Sequence, residues 1–166
     1  MEKNLEELES IMKQEIDLHN SLLVVAREFN TAIKENDLEL IRKKTTEQDE
    51  HICSIERLED SRQECCRSLS DQLNLEAKSV KFSHIIDFLP SSWKNRLTRV
   101  HSSLKSIIGE LTSINTSNRI LLEEADRIIG KTLTYFTQPP KVNNSYSNQG
   151  KIPQNRNEFI FYNNVI

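Results

Sequence analysis

The most regular pattern of apolar and polar positions lies between residues 92 and 136, where apolar side chains recur at alternating steps of four and three. This spacing is typical of a helix that buries one seam against other helices. A second stripe repeats every seven residues beside it, so the apolar face is about 100° wide. The pattern predicts one unbroken helix. Its seam is Trp93, Leu97, Val100, Leu104, Ile107, Leu111, Ile114, Asn118, Leu121, Ala125, Ile128, Thr132 and Tyr135, and its stripe is Ile108, Asn115, Leu122, Ile129 and Phe136.

Two more long helices are predicted earlier in the chain, at residues 2–34 and 38–73. The break between them offers Asn36 or Asp37 as a cap, and Glu39 completes a capping box with Asn36. So short a turn makes neighbouring helices antiparallel. The first seam is Leu5, Leu8, Met12, His19, Leu22, Ala26, Phe29 and Ile33; the second includes Leu38, Ile41, Thr45, Gln48, Ile52, Ile55, Cys66, Leu69 and Leu73.

Residues 80–89 form a short amphipathic segment that Pro90 ends and that we expect to close one end of the bundle. The predicted fold is therefore all-α, an antiparallel bundle or coiled coil of three long helices with one short closing helix. Residues 1–137 make up this domain. Residues 138–166 are rich in Asn and Gln and have no helical period, which predicts a disordered tail. Its apolar islands, around Tyr146 and over residues 159–165, could dock on a partner or on the chain's own groove.

Composition excludes several classes of function. A net charge of −3 and a pI near 5.9 disfavour a nucleic-acid binder. No run of about 18 apolar residues is present, so no stable membrane insertion is expected. The three cysteines, Cys53, Cys65 and Cys66, form no CxxC pair and are predicted to be small packing residues of a reduced, cytoplasmic protein.

The chain carries no recognisable catalytic motif. It has no glycine-rich phosphate loop and no GxSxG, and its four histidines are scattered. A di-iron bundle would need two Glu-x-x-His repeats, and Glu15 with His19 and Glu47 with His51 have the wrong spacing. We therefore expect a protein that is not an enzyme and has no cofactor or metal.

Two asparagines interrupt the apolar face of the last helix. Asn118 lies at a seam position, where a buried asparagine can fix helix register at a cost in stability. Counting levels along the helices places it beside Thr45 or Gln48 of the second helix. Asn115 lies at the stripe, where it either faces water or binds a helix of another protein.

The segment INTSNRILLEEADRIIG, with its Asn-x-x-Asn followed by a Leu pair, resembles the FlgN family of flagellar export chaperones. The segments LHNSLLVVA, IERLEDSRQECC and IIDFLP are similar to the family in the same order. YSNQG, with Tyr146 and Gly150, resembles the Tyr and Gly that follow the last helix in that family. The end of the chain, NEFIFYNNVI, departs from the family pattern.

The resemblance implies a cytoplasmic chaperone of type III secretion. Such a protein binds the helical C-termini of hook–filament junction proteins of the FlgK and FlgL type, prevents their premature association and delivers them to the export gate. The family motif implies client binding by Asn115, Asn118, Leu121 and Leu122, and an export-gate or tail contact by Tyr146. The stripe itself adds Ile108 and Ile129 to the predicted client surface.

Two other classes stay open. One is a structural coiled-coil homo-oligomer or scaffold, in which the wide apolar face buries itself against another copy of the chain. The other is a helical-bundle enzyme or metal protein.

Overall fold

The computed structural model describes residues 1–75 and 82–137. Its helices are α1 (Glu2–Glu35), α2 (Leu38–Gln72), α3 (Phe82–Ile86) and α4 (Ser91–Thr137). Within those two ranges there is no strand, so the all-helical class and the three long helices are confirmed. The predicted closing segment begins at residue 80, and residues 80 and 81 lie outside the described ranges.

The two predicted caps between α1 and α2 have different roles. Asn36 ends α1 in the left-handed conformation, with φ at 55°. Asp37 caps α2, because its carboxylate accepts a hydrogen bond from the backbone N–H of Leu40 at 3.0 Å. The predicted capping box of Asn36 with Glu39 does not form, since Asn36 belongs to the end of the preceding helix.

Helices α1 and α2 are antiparallel neighbours. At one end the amide of Asn4 donates to the hydroxyl of Ser68 at 2.9 Å. At the other end the ammonium of Lys44 lies 2.6 Å from the carboxylate of Glu28. The early part of α1 therefore faces the late part of α2, as the short turn predicts.

Helix α4 runs parallel to α1. Arg96 forms an ion pair with Glu9, and Asn118 bonds to Asn30 further along both helices. These pairs are separated by 87 and 88 residues, so the two helices keep one register over most of the length of α1. At this offset, the last residue of α1, Glu35, corresponds to about residue 123 of α4.

One end of the bundle has a closed apolar core to which all four helices contribute. Within it Phe82 of α3 stacks on His101 of α4, with ring centroids 4.9 Å apart. The guanidinium of Arg96 lies over the ring of Trp93 at 4.1 Å. The buried residues of this core are Leu5, Leu8, Ile11, Met12, Cys65, Cys66, Leu69, Phe82, Ile85, Leu89, Trp93 and Leu97.

The other end is open, and we call residues 18–35, 38–58 and 105–122 the open half. Helix α1 is well covered there: Leu22, Leu23, Val25, Ala26, Asn30 and Ala32 are buried. Helix α2 has no buried residue before Cys65, and α4 has only Asn118 buried after Leu104. The apolar seam positions of α2 and α4 in this half are consequently half-buried or exposed.

Several predicted seam positions are therefore not buried. Thr45 and Ile52, which were predicted seam positions of α2, are exposed, and so is Cys53, which was predicted to be a packing residue. The described ion pair that links this stretch of α2 to another helix reaches α1. On α4, Ala125 and Ile128 are exposed since they lie beyond the level at which α1 ends. A seam needs a neighbouring helix at the same level, and periodicity cannot report where that neighbour stops.

The chain divides into two compact units, Met1–Ile128 and Ile129–Ile166. The described part of the second unit is the end of α4, residues 129–137, and every residue of it is exposed. This includes the predicted seam positions Thr132 and Tyr135. The predicted tail, 138–166, lies outside the described ranges. Among the described helices, none has the length and apolar content needed to cross a membrane.

Candidate functional site

Asn118 faces the interior of the bundle, as predicted, and is only 4% exposed. Its amide nitrogen donates to the carbonyl oxygen of Ala26 at 3.1 Å. Its amide oxygen accepts from the amide nitrogen of Asn30 at 2.7 Å, and the same Asn30 nitrogen lies 3.5 Å from the hydroxyl of Ser117. A buried amide satisfied on both sides costs little and ties α4 to α1 at one level.

These hydrogen bonds place the partners of Asn118 on α1 and not on α2. The hydroxyl of Thr45 is exposed and donates to the carbonyl of Ile41 within its own helix at 2.9 Å. Gln48 is half-buried, and its amide nitrogen has no hydrogen-bond partner among the described residues. Level counting could not show which neighbour supplies the hydrogen-bond partners of Asn118. The predicted closeness of Asn118 to Thr45 or Gln48 stays a prediction.

The stripe residues Ile108, Asn115 and Leu122 share one exposed side of α4. Ile108 and Leu122 are each 42% exposed, and Asn115 is exposed between them. Each residue turns the helix by about 100°. Viewed along the axis of α4, Ile108, Asn115 and Leu122 therefore lie about 80°, 60° and 40° to the same side of Asn118. Because Asn118 marks the direction of α1, the stripe runs along the edge of the α1–α4 seam.

The opposite edge of that seam is occupied. Arg27 and Glu110 pair there at 3.1 Å, beside a groove of about 270 Å³ whose lining includes Leu23, Ile114 and Ser117. On α4, Glu110 and Ser117 lie about 80–100° from Asn118 in the direction opposite to the stripe. On α1, Asn30 faces α4. Around the axis of α1, Arg27 lies to one side of Asn30, and the residues that contact α2 lie to the other side. The stripe therefore projects toward the side of α1 on which α2 lies.

The remaining predicted client-binding residues lie in other places. Leu121 is half-buried and lies about 60° from Asn118 on the Arg27–Glu110 side of the seam. Ile129 is exposed and belongs to the second unit. Tyr146 lies outside the described residues. The structure thus groups Ile108, Asn115 and Leu122 on one face and gives Asn118 internal hydrogen bonds.

Sequence reasoning missed three buried polar side chains of α1: Glu9, Glu15 and Asn30. The burial of Glu15 could have been predicted, because Glu15 lies three residues after Met12 and four before His19, which are both seam positions. Its carboxylate accepts from the Nε of Arg62 of α2 at 2.9 Å. Asn30 also lies at a seam step, between Ala26 and Ile33, but its neighbour Phe29 fits the same period. Spacing therefore did not select Asn30.

Glu9 links α1 to α4 through charge. Its carboxylate pairs with Arg96 and lies 3.2 Å from Lys13. Burial would raise the pKa of Glu9, but the hydrogen bonds from Arg96 and Lys13 outweigh it and hold that pKa below its ordinary value. Glu9 is therefore ionised at neutral pH.

The described residues offer binding surfaces and no recognisable reaction centre. They contain no group of three His, Cys, Asp or Glu side chains placed to hold a metal. Burial is the main cause that raises the pKa of Cys65, to about 11, and it also raises that of Cys66, so neither thiol is an activated nucleophile.

Comparison with known proteins gives two matches. A family model described as FlgN protein matches residues 1–154. A protein of Bacillus subtilis strain 168, described as uncharacterized protein YvyG, is 26% identical over 147 residues, which cover 87% of this chain and 88% of that protein. No solved structure matches the chain.

Proposed function

Because the chain belongs to the FlgN family, whose role is that of a flagellar export chaperone, we propose that it binds the helical C-termini of hook–filament junction proteins of the FlgK and FlgL type. In this proposal the protein acts in the cytoplasm. It keeps these ends from associating prematurely and hands them to the flagellar export gate, with Tyr146 as the gate contact.

The observation that carries the proposal is the open half of the bundle. Its α2 has no buried residue before Cys65, although apolar positions recur along it, and α4 leaves Ile108 and Leu122 partly exposed. Three helices that share a complete core would cover these positions. An apolar face left open along a bundle is a typical binding site for an amphipathic helix of another protein.

The part of the stripe that lies in the open half has dimensions that suit such a client. From Ile108 to Leu122 it spans about 21 Å at 1.5 Å per residue, close to four turns of a client helix. The two apolar ends would bury side chains of the client. Asn115 between them would hydrogen-bond a polar group of the client and so favour one register over others.

Asn118 and Leu121 have a different role in this proposal. Both lie within the α1–α4 seam, and Asn118 is held by Asn30 and Ala26. They would support client binding by holding α4 in the orientation that presents the stripe. A variant of Asn118 should therefore weaken both bundle stability and client binding, whereas a variant of Leu122 should weaken client binding alone.

The test compares Leu122→Asp with Ile120→Asp. Ile120 is 56% exposed and lies about 160° from Asn118, away from the stripe, so it is a matched apolar control on the same helix. Leu122→Asp should weaken binding of a purified FlgK- or FlgL-type C-terminal helix at least about tenfold, by placing a charge against apolar surface. Ile120→Asp should leave the affinity unchanged, and circular dichroism should show equal helical content.

Equal affinity of wild type and Leu122→Asp for the client would contradict the assignment of the stripe. A second copy of the chain is the competing occupant. If Leu122→Asp instead dissolved a homo-oligomer and no client bound, the scaffold interpretation would replace the chaperone one. Delivery is tested separately: Tyr146→Ala should leave client capture intact and reduce secretion of the client.

A further inference from the structure

The end of α4 presents a second apolar surface, in the second unit of the chain. Ile129, Leu133 and Phe136 follow steps of four and three, so they lie on one face of the helix. They are 58%, 58% and 84% exposed, which is unusual for three large apolar side chains that share one helix face. Over residues 129–137 the sequence has a single charged side chain, Lys131. We call Ile129, Leu133 and Phe136 the terminal stripe.

The last residues of the chain form the other half of the argument. The family match ends at residue 154, so the final twelve residues are not part of the region shared with the family. Residues 159–166, FIFYNNVI, contain six apolar or aromatic side chains and no charged one. Such a composition is costly to leave in water.

We propose that residues 159–166 bind the terminal stripe of the same molecule and cover it. The 21 residues between Thr137 and Phe159 can reach at most about 70 Å, and the terminal stripe is only about 10 Å long. The chain is thus long enough to fold back without being stretched.

The tether also favours this occupant over a second copy. A covalent connection between two binding elements gives an effective local concentration of about 1 mM, far above the concentration of a free protein at micromolar levels. Neither surface carries a charged side chain that would have to be desolvated on contact, since Lys131 lies two residues from Ile129 and Leu133, off their shared face. The inference goes beyond the proposed function, because it concerns the isolated chain. Of the terminal stripe, Ile129 alone belongs to the client surface predicted from the sequence, and the client test at Leu122 does not involve it.

The experiment measures backbone hydrogen exchange of residues 129–137 in the full chain without any client. One variant carries Phe159→Ser and Phe161→Ser; its matched control carries Asn163→Ser and Asn164→Ser. The aromatic variant should exchange about tenfold faster over residues 129–137, because the covering segment is lost and the helix end frays. The asparagine control should exchange like wild type, and residues 5–12 in the closed core should be unaffected in both.

Two results would overturn the proposal. One is equal exchange over residues 129–137 in wild type and the aromatic variant, which would mean that residues 159–166 do not cover the terminal stripe. The other is protection that falls about tenfold when wild-type protein is diluted tenfold, which would identify a second copy as the cover. Protection that does not change on dilution, and that the aromatic variant loses, supports the intramolecular contact.

Discussion

Asn30 and Asn118 meet inside the bundle, where the amide nitrogen of Asn30 donates to the amide oxygen of Asn118 at 2.7 Å. Both side chains are buried, and 88 residues separate them in the chain. The nitrogen of Asn118 is satisfied in turn by the carbonyl of Ala26. This connection holds two parallel helices at one level in the half of the bundle where apolar packing is least complete.

The asparagine pair should show strong energetic coupling. Asn118→Leu removes the acceptor of the buried Asn30 amide and should lower the free energy of unfolding by about 1–3 kcal/mol. Replacing both by leucine should cost less than the two single changes together, because no buried amide is then left without a partner. Urea unfolding followed by circular dichroism measures this double-mutant cycle, with an expected coupling of about 0.5–3 kcal/mol. Additive single and double changes would mean that the hydrogen bond contributes nothing to stability.

The Glu15–Arg62 pair should be costly to break from one side. The side chain of Glu15 is 3% exposed, and Arg62 supplies its described partner at 2.9 Å. Arg62→Met would leave a buried carboxylate unpaired and should lower the free energy of unfolding by roughly 3–5 kcal/mol. Adding Glu15→Leu should recover most of that loss.

Arg67, which is exposed on the same helix, is the control for this pair. Arg67→Met should change stability by no more than about 0.5 kcal/mol. If Arg62→Met behaved like Arg67→Met, the buried pair would have no measurable role in stability. Urea midpoints at constant ionic strength give the comparison.

Stability should depend on pH through Glu9. The pKa of Glu9 is lower in the folded protein than its ordinary value, because hydrogen bonds from Arg96 and Lys13 outweigh burial. The folded state therefore favours the ionised form. Its contribution is complete above the ordinary carboxyl pKa and is lost as the pH falls through the lowered pKa. Glu9→Gln should be less stable than wild type at neutral pH and should show a shallower loss of stability on acidification.

The matched control for Glu9 is Glu6→Gln, an exposed glutamate of the same helix. It should keep the wild-type stability at neutral pH. Thermal unfolding between neutral and acidic pH separates the two variants. A Glu9→Gln protein whose stability falls with acid as steeply as that of wild type would show that the Arg96 pair does not carry the effect.

The three cysteines should separate into one reactive and two protected thiols. Cys53 is exposed, whereas Cys65 and Cys66 are buried. Burial, with the nearby Glu7 and Cys66, raises the pKa of Cys65 to about 11, and its thiol donates to the carbonyl of Asn4 at 3.2 Å. A thiol reagent at pH 8 should modify one cysteine quickly, and Cys53→Ser should remove that fast phase. Rapid labelling of all three thiols in the folded protein would contradict the closed core; in denaturant all three should react.

Helix limits were predictable because they depend on local chemistry. Proline, the Asn36–Asp37 break and the unbroken four–three spacing lie within a few residues of the ends that they determine. The predicted and observed bounds of the long helices therefore differ by at most one residue. The inward direction of Asn118 was predictable for the same reason, since it follows from the period of its own helix.

Partners across the bundle were not predictable in this way. Asn118 bonds to Asn30 and not to Thr45 or Gln48, and Glu9 pairs with Arg96 of α4. Each of these depends on the parallel register of α1 and α4, which is a relationship between distant segments. The spacing around Asn30 does not distinguish it from its neighbour Phe29, which fits the same seam period.

The sequence by itself determined the number of long helices, their ends and the apolar face of each one, because propensity, capping and periodicity act over one or two turns. Tertiary structure alone decided how much of each face is covered. The seam of α4 remains regular beyond Leu121, yet Ala125 and Ile128 are exposed because α1 ends at Glu35. Burial requires a second helix at the same level, and the level of that helix is set by contacts between residues nearly ninety positions apart, such as Asn30 with Asn118.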